Sequence, residues 1–204
     1  SSGALNALSS GQLRTLTTAQ VDALTTTQLQ QLSQTQVGNL STSQLQALAT
    51  ADLQALLTSQ ITALKTNQVA NLTTDQAKAL TTAQAATLSA TQAAALTTDQ
   101  VAALSANSVK AINLTAFGAL SSAQITAMTT AQVEQITTAQ LTSMKSGQMA
   151  GLTSSQIDAF TTTQVAALGS TQAAGLTTAQ IVGLATGDLT ALSTAAVSGL
   201  GTRS

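Results

Sequence analysis

An apolar residue returns at every eighth position of the chain: Leu16, Leu24, Leu32, Leu40, Leu48, and onward to Leu192 and Leu200. The register never slips, and 204 residues divide into about 25 octads. A repeat of this kind decides the architecture before any other feature is considered. With the strong leucine numbered slot 8, slot 1 is mostly Ser or Thr, as at Thr17, Thr25 and Thr97. Slot 4 is nearly always Gln, as at Gln20, Gln28 and Gln100. Slot 5 is apolar (Val21, Leu29, Val101), and slot 7 is usually Ala or Gly.

Ser or Thr followed three residues later by Gln is a capping box. The hydroxyl accepts from the N3 amide and the Gln side chain reaches back to the N-cap amide. The slot 8 leucine before the cap and the slot 5 residue are the two partners of a hydrophobic staple. Both helix-start signals therefore recur in each octad, and a helix that restarts every eight residues also stops every eight. The pattern predicts about one and a half helical turns per octad, then a sharp corner at slots 8 and 1. Thr17, Gln20, Thr25, Gln28, Thr97 and Gln100 are expected as structural caps. Val21, Leu24, Leu29, Leu32, Val101 and Leu104 are expected in the core.

A single continuous α-helix does not suit this spacing. Eight residues rotate about 800°, so the apolar stripe drifts by roughly 80° per octad. Simple strand alternation also fails, because slots 5 and 8 would point to opposite faces. A β-solenoid with corners is the alternative, since Thr and Val favour strands. Ala, Gln and Leu are good helix formers and favour the helical reading. Isolated helices shorter than about 12 residues are marginal, so each octad has to bury its apolar slots on its neighbours. The expected fold is all-α: a short-repeat α-solenoid spanning residues 1–204 as one continuous array, itself part of a longer array or a filament. Neither end carries the polar outer face of a capping repeat. Leu5, Leu8, Val197 and Leu200 are therefore candidate end-to-end contacts.

Some octads depart from the pattern. Asp52 and Asp188 replace the slot 4 Gln, Leu57 sits in a cap slot, and Lys65 and Lys145 take two others. Ala77, Ala85 and Ala93 thin slot 5, where each Val-to-Ala change forfeits about 1–2 kcal/mol of burial. Residues 105–120 diverge most, with Ser108 and Ala116 in place of Gln, Asn113 at a cap and Phe117 in slot 5.

Composition narrows the chemistry. Hydrophobic residues make up 44%, aromatics 1% and charged residues 6%. This lacks the high net charge of a disordered chain and the charge density of an ordinary globular domain. A net charge of −1 gives no electrostatic footprint for nucleic acid. No run approaches the roughly 18 apolar residues of a membrane span. The chain has no His and no Cys, which excludes Ser-His-Asp and Cys-His catalysis. The acids are scattered in sequence, and Asp75 and Asp99, three octads apart, would stack if three octads made one coil. They are read as helix-dipole partners. No calcium loop is present. The chain is accordingly expected to be no enzyme, to need no cofactor or metal, and to contact only neighbouring repeats or copies of itself. A threonine ladder for ice or carbohydrate binding is a third reading, weakened because the slot 1 hydroxyls are assigned to capping.

The motif at Leu16 to Leu24, repeated in variant form at Leu176 to Leu184, resembles octad arrays in very large secreted or surface proteins of bacteria. These are of the adhesin-like or haem-utilisation-like kind. The resemblance covers essentially the whole chain. It implies an extracellular stalk or spacer that projects a binding region elsewhere, and it carries no catalytic residue. A haem role lacks its ligands, there being no His, Tyr or Cys.

Overall fold

In the computed structural model, residues 7–200 are described. Among them are 24 helices of four to seven residues, the first Ser10–Thr15 and the last Thr194–Leu200. There are no strands among the described residues, so the β-solenoid alternative does not hold. The helices form an α-solenoid. Each packs on the helix three places later: Ser10–Thr15 on Gln34–Val37, Thr18–Asp22 on Thr42–Ala47, Thr26–Gln31 on Thr50–Ala55, and so on to Ser170–Gly175 on Thr194–Leu200. Three octads therefore make one 24-residue coil with three faces. Face I carries the octads beginning at residues 9, 33 and 57, face II those at 17, 41 and 65, and face III those at 25, 49 and 73.

Extended backbone makes the corners. Leu32 (φ −61°, ψ 133°) and Ser33 (φ −65°, ψ 158°) turn the chain between two helices. No described residue has a positive φ. The usual left-handed helix stop is thus not used, and no corner requires glycine.

The core runs along the solenoid axis. Slot 5 and slot 8 residues fill it, from Leu13, Val21 and Leu29 through Phe117 to Val165 and Leu168. Ala77, Ala85 and Ala93 are fully buried in slot 5, and Phe117 occupies the same slot one coil after Ala93. The slot 4 glutamines are buried as well, from Gln36 onward. The core is therefore not built from slots 5 and 8 alone.

Slots 2 and 7 set how closely coils approach. On face III, Gly151, Gly175 and Gly199 lie against Ser122, Ser146 and Ser170 of the coil before. A Cβ on Gly175 would sit 2.5 Å from the Ser146 carbonyl oxygen. Earlier on the same face the corresponding residues are Thr and Ala, as at Thr98 and Ala127.

Candidate functional site: a glutamine ladder between coils

The recurring site of this fold is the slot 4 glutamine. Within its own octad it completes the capping box. Thr97 Oγ1 accepts from the Gln100 N–H at 3.1 Å, and the Thr97 N–H donates to Gln100 Oε1 at 2.7 Å. The same reciprocal pair joins Thr17 to Gln20 and Thr25 to Gln28. Two of the orphan donors at each helix start are thereby satisfied.

The other end of the amide reaches the preceding coil. Gln60 Nε2 donates to the Leu32 carbonyl at 2.7 Å and to the Leu29 carbonyl at 2.8 Å. Gln100 Nε2 does the same with Leu72 and Val69. A short helix ends with carbonyls that no intrahelical donor can reach, and these corner carbonyls are the ones the ladder takes up. No buried side-chain nitrogen or oxygen is left without a partner among the described residues. Slot 6 side chains add bonds in the opposite direction, as Gln30 Nε2 to the Ala55 carbonyl and Gln46 Nε2 to the Asn71 carbonyl.

Departures from the octad are partly compensated. Ser108 is too short for both glutamine roles, yet its hydroxyl bonds the Leu80 carbonyl at 2.8 Å. Where Ala116 replaces Gln, Asn113 does both jobs. Its Oδ1 accepts from the Ala116 N–H, and its Nδ2 donates to the Leu88 and Ala86 carbonyls. Ser193 likewise caps Ala196 and reaches the Leu168 carbonyl. Leu57, Lys65 and Lys145 give no side-chain cap, but their N–H groups still donate to Gln60, Gln68 and Gln148. Ala49 with Asp52, and Ala185 with Asp188, provide no side-chain cap.

The first coil lacks the second half of the glutamine role. Gln20 is exposed and Gln28 half-buried, whereas Gln100 is buried. Val21, Leu29, Leu32, Val101 and Leu104 lie in the core. Leu24 is half-buried and packs against the core, like Leu8 and Leu16. Leu5 lies outside the described residues. Leu200 is half-buried, and Val197 is 55% exposed. Asp75 and Asp99 are exposed on successive coils of face III. Among the described residues no group of three or more acidic residues is placed to hold a metal ion, and no helix is long and apolar enough to cross a membrane.

The repeat and its stacking define an octapeptide α-solenoid. The chain belongs to the ALTTAQ repeat family, whose sequence profile matches residues 1–34, 45–82 and 134–170, together more than half of its length. The six-residue signature is slots 7, 8, 1, 2, 3 and 4 of the octad, as in Ala79 to Gln84. The divergent octads of residues 105–120 fall between two matched stretches. No curated protein matches the chain.

Proposed function

We propose that this chain is a structural spacer: a stalk segment of an extracellular or cell-surface protein of the adhesin kind, holding a binding region that lies elsewhere. The glutamine ladder carries this reading. It links coil to coil through buried bonds at nearly every corner, which suits a rod that must transmit position along its length. Eight coils stacked about 8–10 Å apart would span roughly 65–80 Å. The aliphatic, cysteine-free composition supports passage through a membrane in unfolded form before folding outside. No catalysis is proposed.

A second reading, a subunit joined end to end, draws on one observation. Within the chain each coil meets the next through unlike surfaces, glutamine donors such as Gln60 on one and corner carbonyls such as that of Leu32 on the other. Heterologous faces of this kind generate open fibres. Small-angle scattering across a wide concentration series separates the readings. A rod of constant length supports the spacer. A rod that lengthens with concentration supports the filament, and a constant compact particle overturns both.

A further inference from the structure

Five residues from three octads meet at one corner between faces I and II. They are Arg14 and Gly38 in slot 6, Asn39 in slot 7, Lys65 in slot 1 and Asn67 in slot 3. With Leu40, Ser41, Thr42 and Gln68 they line a cleft of about 320 Å³. Gly38 lets the next coil approach closely, since a Cβ there would lie 2.7 Å from the Ala63 carbonyl oxygen. Lys65 forgoes the hydroxyl cap that this slot normally supplies, and its Nζ instead donates to Asn39 Oδ1 at 3.0 Å. Asn39 is held in turn by its Nδ2 bond to the Thr35 carbonyl at 2.8 Å.

We propose that this cleft binds an acidic sugar, with its carboxylate or sulfate held between Arg14 and Lys65. Two of the six basic residues of the chain line one small space, and no acidic residue lines it with them. A guanidinium presents a planar fork of donors suited to an oxyanion, and an ammonium adds a compact point charge. The rest of the wall is polar: the Asn67 amide and the Thr42 hydroxyl suit the hydroxyl groups of a sugar ring. The volume lies at the small end of ligand sites and suits a single ring.

The test is an amide-resolved NMR titration of the whole chain with sodium glucuronate, glucose 6-sulfate, glucose and inorganic sulfate. Saturable shifts at Gly38, Asn39 and Asn67 with the two acidic sugars, and none with glucose, are expected. Arg14→Ala and Lys65→Ala should each weaken binding at least fivefold while leaving the melting curve in place, since both side chains are exposed. Asn67→Ala should weaken the acidic sugars and leave sulfate unchanged. Binding of inorganic sulfate as tight as that of the acidic sugars would overturn the sugar assignment. Shifts that never saturate, or binding unchanged in both basic-residue variants, would overturn the site.

Discussion

Gln132 and Leu104 are joined across two coils: Gln132 Nε2 donates to the Leu104 carbonyl at 2.7 Å, while Gln132 Oε1 accepts from the Thr129 N–H at 2.7 Å. One side chain thus starts a helix and closes the corner beneath it. The Val101 carbonyl takes a second bond from the same nitrogen at 2.8 Å.

Gln132→Glu keeps the acceptor and removes the donor, and it turns a carboxylate toward two carbonyl oxygens. The expected cost is about 3 kcal/mol or more near neutral pH, because the charge is buried and unpaired. Gln20→Glu, in the exposed first coil, should be near neutral, since an acid at a helix start suits the dipole. Burial raises the introduced carboxyl above its reference of about 4.3. The folded state then binds the proton more tightly than the unfolded state. The penalty is therefore small below about pH 4 and grows as pH rises through the folded value. Urea unfolding of both variants from acid to neutral pH measures this, and equal losses at both positions would remove the inter-coil role.

Asn113 is expected to carry two roles that a consensus octad divides between two residues. Asn113→Ala should cost about 2 kcal/mol, losing the cap and the bonds to Ala86 and Leu88. Asn113→Thr keeps the cap alone and should cost about half as much. Adding Ala116→Gln to Asn113→Thr restores the consensus pair and should recover the loss. A thermodynamic cycle from thermal unfolding measures the coupling, and strict additivity would show that the two positions do not share a task.

Coil spacing on face III gives a paired glycine prediction. A Cβ at Gly175 would lie 2.7 Å from Met149 Cβ as well as against the Ser146 backbone, so Gly175→Ala should cost about 1–3 kcal/mol by overpacking. Gly187, inside the helix Thr186–Ala191, has nothing within 4 Å of such an atom. Gly187→Ala should stabilise by about 0.5–1 kcal/mol through helix propensity and a less flexible unfolded chain. Melting temperatures moving in the same direction would contradict this packing.

The octad made much of this fold legible. Thr97 and Gln100 announce a helix start by residue type and spacing alone, and Val101 with Leu104 announces what the helix must cover. The number of octads per coil was not legible, because it depends on corner angles set by residues such as Leu32 and Ser33, whose extended geometry leaves no mark on composition. The outer half of the glutamine role was hidden for the same reason. Gln60 and Leu32 are 28 residues apart, and only the three-sided coil makes them neighbours. The signal was nonetheless present: a capping box accepts Glu or Gln at its last position, yet this array uses Gln in most octads and never Glu. The unused choice pointed to a donor. Arg14 and Lys65 meet at one cleft through stacking as well, so their proximity had no expression in the linear sequence.

The phase of the helix within the octad is tested by proline. Thr98 is the first residue of the helix Thr98–Ala103, and Thr97 before it is extended at ψ 163°, the conformation a residue preceding proline prefers. The amide at this helix position is unpaired within the helix, so Thr98→Pro should change the melting temperature little. Ala102 lies four residues on, inside the same helix. There proline removes an intrahelical donor and drives its ring against the Thr98 carbonyl, at a cost of about 3 kcal/mol. The damage should also spread upward, because the Val101 and Ala102 carbonyls both accept from Gln132 of the next coil. Hydrogen exchange should then show lost protection at the Gln132 octad in Ala102→Pro and not in Thr98→Pro. Equal melting temperatures for the two variants would place the helix start elsewhere in the octad.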